Sequence, residues 1–508
     1  MSDAINNQFS SKIIFRNSIV AIVQVIISTI IMFFLYSYLL REIGPDNLGL
    51  WSILMATANS LRVGEFGMSG SVVKFVAKYR ANNDLESASK VIQTGFISLA
   101  VFLILILVIL YPLLIWILKF IFPATSNDLI KSLLPLALIY LWLLTLGGVY
   151  QSGLDGCVRT DLHSALILFG NILVLLFSLL LVPRFGLLGL MYAQIFQSIL
   201  LLVSSWLVLR KIFPIFPLLK LKWTKSFFSE MLNYGYKVQI IGIAVILTDP
   251  IIKMLIGKFG GLAFTGYFDM GLRLIQQVRS LILSANQTLV PIIAHLQETT
   301  NKKINSVYLL NFQLITYFSL PIYFAIALLA PIISEFWIGE YINSFVQLLI
   351  ILSVSESIHI MAGPAYFINL GTGKLNWNVR SQIGGLIIGF AGSGVLGYFF
   401  GGIGVVIGFA ISLVVKALLL IVPFHNESKI PFTEMFPQEN KLLIIYCVII
   451  TIGYITFFNF SKHMEISWFR FVSAFFALGL LVLTMWRHPF REKIFQFLRQ
   501  KLERTNAL

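Results

Sequence analysis

The chain alternates between long apolar runs and short polar breaks for almost its whole length. Runs of about 20 apolar residues have the length that an α-helix needs to cross a bilayer. They fall near 16–41, 48–70, 91–121, 129–150, 162–182, 187–210, 231–256, 263–285, 305–334, 343–369, 379–400, 402–423, 441–459 and 467–486. The pattern therefore predicts an all-α polytopic membrane protein of about fourteen spans. Spans 2 and 8 are expected to continue as amphipathic ends past Gly70 and Gln287. Pro183–Gly186, Gly257–Gly261 and Phe399–Gly402 read as tight turns between spans.

The pattern also repeats. An offset of 216 pairs Asn17 with Asn233, Gly44 with Gly260, Trp51 with Tyr267, Tyr79 with His295, Phe96 with Phe312 and Tyr150 with Tyr366. Arg62 and Arg279 lie one residue outside that register. The expected organisation is an N-terminal lobe of six spans over 1–210 and a linker over 211–230. A second six-span lobe follows over 231–423, then an appended lipid-facing pair over 424–486 and a basic amphipathic tail over 487–508. Duplicated halves are a common transporter plan, with the substrate site at the repeat interface.

Composition agrees with the pattern. Of 508 residues 58% are hydrophobic and only 12% charged, and the mean hydropathy is +0.88. A soluble domain carries about 25% charged residues. The net charge of +15 reflects topology and not nucleic-acid binding. Lys12, Arg16, Lys74, Lys78, Arg80, Lys90, Arg210, Lys211, Lys220, Lys222 and Lys225 all fall in one alternating set of loops. The other set holds only Arg41, Lys119, Lys131, Arg184, Lys258, Lys462 and Arg470. The positive-inside rule then puts both termini in the cytoplasm. Residues 1–12 and the first apolar run do not read as a cleavable signal. Cys157 and Cys447 suggest neither a disulfide framework nor a metal site, and no cofactor is expected.

The candidate chemistry is the polar residues inside the spans. Ionisable groups there are costly and mark function by default. Span 2 carries Ser52, Asn59, Arg62, Glu65 and Ser69, and a basic rim of Lys74, Lys78 and Arg80 follows. Span 8 carries Asp269, Arg273, Gln276, Gln277, Arg279, Ser280, Ser284 and Gln287, most of them at three- and four-residue steps. Span 1 adds Gln24 and Ser28, and span 7 adds Thr248, Asp249 and Lys253. Three pairs have local spacing for contact: Asp249–Lys253, Asp269–Arg273 and Arg62–Glu65. Asp249, beside Pro250, is the first candidate for a sodium- or proton-coupling carboxylate, with Lys253, Asp269 and Glu65 beside it. Glu356, His359 and Lys416 are weaker candidates. Gly392–Gly397 matches GxGxxG formally, but inside an apolar run it reads as a packing face.

Several stretches together resemble one family. They are Arg16-Asn17, Leu40-Arg41-Glu42-Ile43-Gly44, Leu48-Gly49-Leu50-Trp51, Gly64-Glu65-Phe66-Gly67 and Lys78-Tyr79-Arg80. They are similar to bacterial Wzx-type polysaccharide flippases of the multidrug/oligosaccharidyl-lipid/polysaccharide (MOP) exporter superfamily. The resemblance covers the whole chain. It implies export of an undecaprenyl-diphosphate-linked oligosaccharide across the bacterial inner membrane, with membrane lipids and polysaccharide-assembly proteins such as a polymerase as partners. Related lipid II flippases carry cavity arginines on helices 1, 2 and 8. Arg62 matches the second position and Arg273 or Arg279 the third, while helix 1 has only Arg16 at its mouth. Substrate contacts are expected from Arg62, Arg273, Arg279, Asn59, Gln276 and Lys74. Arg62 and Arg279 would face each other, neither with a full protein counter-charge. Two rival readings are a MATE-type multidrug exporter and a membrane-embedded polymerase or ligase. An exporter needs an acidic cavity, and an enzyme of that kind needs a large outer loop. Reporter fusions at Pro217 and Leu508 are expected to read cytoplasmic, and an extracytoplasmic Leu508 contradicts the span count.

Overall fold

The computed structural model describes residues 11–121, 127–213, 216, 222–287, 293, 302–435, 437–461 and 467–492. The expected C-terminal amphipathic tail beyond 492, most of the linker over 214–221 and the extension of span 8 past Gln287 lie outside these residues.

Helices fill the described chain, and no strand forms among the described residues. In hydrocarbon every backbone donor and acceptor has to be satisfied within the chain, which helices do locally. In order they are α1 (Ser11–Ser60), α2 (Met68–Ala81), α3 (Leu85–Ile121), α4 (Asn127–Gly156), α5 (Thr160–Ile212), α6 (Lys225–Gln287), α7 (Lys302–Ile333), α8 (Asn343–His359), α9 (Gly363–Thr372), α10 (Asn376–Ser428), α11 (Gln438–Ser461) and α12 (Ser467–Arg487). Among the described residues, eight helical segments are long and apolar enough to cross a membrane, and Val472–Arg487 is a shorter apolar helix. The protein is a multi-pass membrane protein.

The long helices are divided by glycine. Straight, the 50 residues of α1 would extend about 75 Å, far beyond a hydrocarbon core of roughly 30 Å. Gly44 breaks α1 with φ 79° and ψ 166°. Gly261 breaks α6 with almost the same angles, φ 84° and ψ 172°. Gly186 in α5 (φ 55°, ψ −130°) and Gly401 in α10 (φ 63°, ψ −148°) form a second matching pair. These conformations favour glycine because a Cβ clashes there. The breaks fall at or beside the turns expected from sequence. The two pairs fall on either side of the sequence offset of 216, at 261 − 44 = 217 and 401 − 186 = 215.

The chain forms two compact units, Met1–Asp269 and Met270–Leu508. The first has a core of Val72, Phe75, Ile92, Val149, Leu154, Leu209 and Met231, drawn from α2 to α6. Within it a Cβ on Gly49 would run into the Leu262 carbonyl, and one on Gly67 into the Gly235 carbonyl. Both glycines therefore mark places where backbones touch.

The second unit is built on Tyr308, Phe312, Leu328, Ala365, Ala417 and Phe424. The two halves of α10 pack through the expected small-residue face, where a Cβ on Gly408 would meet the Ser393 backbone. Leu443, Cys447, Phe458, Ala474 and Leu481 of α11 and α12 belong to the same core. Tyr317 donates to the Met485 carbonyl at 3.0 Å, and His488 and Asn440 are hydrogen-bonded at 3.0 Å. The final pair is thus docked into the unit, with Ile449, Phe475 and Phe476 turned outward.

Gly49→Ala is expected to destabilise the protein by about 1–3 kcal/mol through overpacking. Gly70→Ala, whose Cβ would meet nothing, is expected to leave the melting temperature unchanged or raised. Thermal unfolding of both variants in lipid nanodiscs measures the difference.

Candidate functional site

In span 2 the helix is interrupted where its charges sit. Leu61–Glu65 is a 3-10 turn, and Phe66 and Gly67 follow in left-handed conformation. The single polar stripe from Ser52 to Ser69 expected from helical spacing is therefore broken. A break frees backbone carbonyls that need partners, and Gln239 of α6 donates to the Val63 carbonyl at 3.2 Å. Arg62, its side chain 46% exposed, lies 3.5 Å from Glu65, and Glu65 also accepts from Ser69. Beside the break is a cavity of about 330 Å³, lined by Glu65, Phe66, Ser98, Phe102, Phe228 and Asn233 among others. Asn59 is exposed one turn before the break. Lys74 is engaged elsewhere, 3.8 Å over the Tyr234 ring. Arg16 pairs with Asp161 at 3.1 Å.

The second group in this unit is an ionic network centred on Lys253. Lys253 Nζ is 2.7 Å from Asp269 Oδ1 and 3.0 Å from Asp249 Oδ2. Tyr36 OH donates to Asp269 Oδ2 at 2.6 Å. The Asp269 side chain is 1% exposed and that of Asp249 41%. One ammonium thus bridges a buried carboxylate and an open one. The local spacing found the Asp249–Lys253 half. It gave no sign of the contact of Asp269 with Lys253, or with Tyr36, which lies 233 residues away. No spacing rule could reveal that partner.

Arg273, Gln276 and Arg279 belong to the second unit. Arg273 is half-buried and Gln276 exposed. Arg279 Nε lies 3.3 Å from Glu356 Oε1, whose side chain is 4% exposed. Arg62 and Arg279 therefore each have a carboxylate neighbour, and the expectation that neither carries a full counter-charge is corrected. The buried Glu356 would be costly as an unpaired ion, and Arg62 meets Glu65 through their i,i+3 spacing. Glu356 and His359, weak candidates in the sequence, turn out to surround Arg279. The side chains of Ser284 and Gln287 lie outside the description.

A sequence profile of the family described as "Polysaccharide biosynthesis protein" matches residues 38–347, more than half of the chain. The chain belongs to this family. Among solved structures it is similar to the lipid II flippase MurJ in an inward closed conformation: TM-score 0.70, 15% identity, 94% of this chain and all of that one covered. It is similar too to an inward-facing multidrug resistance MATE family transporter of the MOP superfamily: TM-score 0.65, 15% identity, 81% and 98% covered. A MOP superfamily transporter from Pyrococcus furiosus, described as having a binding pocket of reverse polarity, matches at TM-score 0.58 and 16% identity, with 82% and 96% covered. These likenesses show a MOP-type fold. No curated protein sequence matches the chain.

Removing the ammonium from the Lys253 network takes an ion-pair partner from the buried Asp269. Lys253→Met is expected to lose several kcal/mol of stability, of the order of 3–5. Lys253→Met combined with Asp269→Leu should recover most of it, and Asp249→Asn should cost less than Lys253→Met. Unfolding curves of the three variants check that order.

Proposed function

We propose that this protein is a flippase. It carries an oligosaccharide linked to undecaprenyl diphosphate from the inner to the outer face of the bacterial cytoplasmic membrane by ion-coupled alternating access, both termini lying in the cytoplasm. The observation that carries this reading is the polysaccharide-biosynthesis match over residues 38–347. The fold shared with a lipid II flippase supports it. The MurJ match also covers more of the chain than the MATE match, by 94 − 81 = 13%. O-antigen, capsule and exopolysaccharide repeat units all satisfy the reading, and an O-antigen unit would serve lipopolysaccharide assembly. A polymerase and other assembly proteins are its expected partners.

Arg62 and Arg279 are the proposed diphosphate contacts. Each holds its carboxylate at ion-pair distance, 3.5 Å and 3.3 Å. A diphosphate offers the same guanidinium a denser anion and paired hydrogen bonds. The carboxylates then act as place-holders that neutralise the arginines between transport cycles. Arg273, Asn59, Gln276 and Lys74 supply weaker polar contacts, Lys74 after leaving the Tyr234 ring. Asp249, the open carboxylate of the Lys253 network, is the proposed coupling group of the first unit for sodium or a proton. Asp269 and Glu65 accompany it.

Complementation of a flippase-null strain tests the reading, scored by surface polysaccharide at matched protein levels. Each charge-assisted contact contributes about 1.5–3 kcal/mol. Arg62→Ala and Arg279→Ala are thus each expected to cut export roughly ten- to hundredfold, and lysine to restore only part. Asp249→Asn should remove the dependence on the ion gradient. Full export by the double alanine variant contradicts the diphosphate role, and restored organic-cation efflux in place of polysaccharide supports the exporter reading.

A further inference from the structure

The second unit holds an ionisable cluster that the proposed diphosphate contacts do not use up. At its centre is Glu356 of α8, 3% exposed. Its Oε1 is 3.3 Å from Arg279 Nε of α6, and its Oε2 is 3.2 Å from His359 Nδ1. Oε1 accepts no hydrogen bond, so the contact with Arg279 is ionic only. Lys416 of α10, 5% exposed, is within electrostatic range of both Glu356 and Arg279. From α7, Tyr323 interacts with the same two charges, and its buried hydroxyl has no hydrogen-bond partner. From α9, Tyr366 interacts with Arg279.

The place of Lys416 is built into the fold. A Cβ at Gly385 would overlap the Cγ, Cδ and Cε atoms of the lysine stem. Ser381, one turn earlier on α10, donates to the Lys416 carbonyl at 2.9 Å. The other half of α10 thus leaves a slot for this side chain, where a lysine merely tolerated in the interior would need none.

The charges do not balance if every basic group is protonated. Among the described residues the cluster sets one carboxylate against Arg279, Lys416 and His359. A surplus charge in a low-dielectric interior is expensive. Arginine does not give up its proton in proteins, whereas histidine and buried lysine do. A second cation is also unwelcome: any metal ion would have to displace a fixed positive group from the single carboxylate. From this geometry we propose that Glu356, His359 and Lys416 form a proton-exchange site. It takes up and releases a proton under the field of Arg279 and excludes sodium. Arg279 tunes the site in its own paired state, and motion of its guanidinium away from Glu356 strengthens proton binding. The link to transport rests on the flippase reading. The site itself does not.

The test needs no transported substrate. Infrared difference spectra of the full-length protein in lipid nanodiscs are recorded across roughly pH 5 to 9, the range in which histidine and perturbed groups titrate. The expected result is a transition with carboxylate and imidazole bands. It should be absent in His359→Gln, shifted by at least one pH unit in Lys416→Met, and unaltered when potassium is replaced by sodium. His359→Gln keeps a donor for Glu356, so the test stands even if Glu356→Gln does not fold. No transition, one unchanged in both variants, or sodium dependence of the bands that His359→Gln removes overturns the proposal. Export of lipid-linked glycan by a protein with no such transition removes the proton site and leaves the flippase reading standing. The expected transition in a protein that restores no export removes the flippase reading and leaves the site.

Discussion

A charge inside hydrocarbon has to be answered by another charge, and that constraint arranges this protein. Lys253 is held between Asp269 and Asp249, Arg279 lies against Glu356, and Arg62 against Glu65. Even the backbone follows the rule, for Gln239 reaches the carbonyl exposed where the helix breaks before Phe66. The networks differ in sign. In the first unit one ammonium serves two carboxylates. In the second, one carboxylate faces three basic groups.

Glycine supplies the geometry that brings these groups together. Gly44 and Gly261 turn α1 and α6 with almost the same backbone angles. Just beyond those turns the backbones meet at Gly49 and Leu262. Close contact there brings the Tyr36 end of α1 and the Asp269 end of α6 within hydrogen-bonding reach. A side chain at Gly49 would act on the charge network through packing alone.

Much of this was legible in the sequence. Apolar run lengths gave the membrane-spanning class, and all four helix-breaking glycines fell between expected spans. The offset of 216 lies between the spacings of the two glycine pairs, 217 and 215. Local spacing found Asp249–Lys253 and Arg62–Glu65 because those partners share one stretch of chain. It missed Tyr36 for Asp269 and Glu356 for Arg279, since contacts between helices leave no periodic trace. The 3-10 break at Leu61–Glu65 was hidden because Arg62 and Glu65 keep the i,i+3 spacing of a helix. Only Gly64 and Gly67 hinted at it.

The family and fold lead to one central claim, that the charged interior serves an anionic lipid-linked sugar. Reconstitution tests it most directly. Purified protein in vesicles is given a polyprenyl-diphosphate-linked oligosaccharide in one leaflet, and the appearance of the sugar in the other is followed with a lectin that cannot cross the membrane. The account predicts transfer well above that of protein-free vesicles, reduced when Arg62 is alanine. Transfer at the protein-free rate, by protein that is folded and inserted, would contradict it.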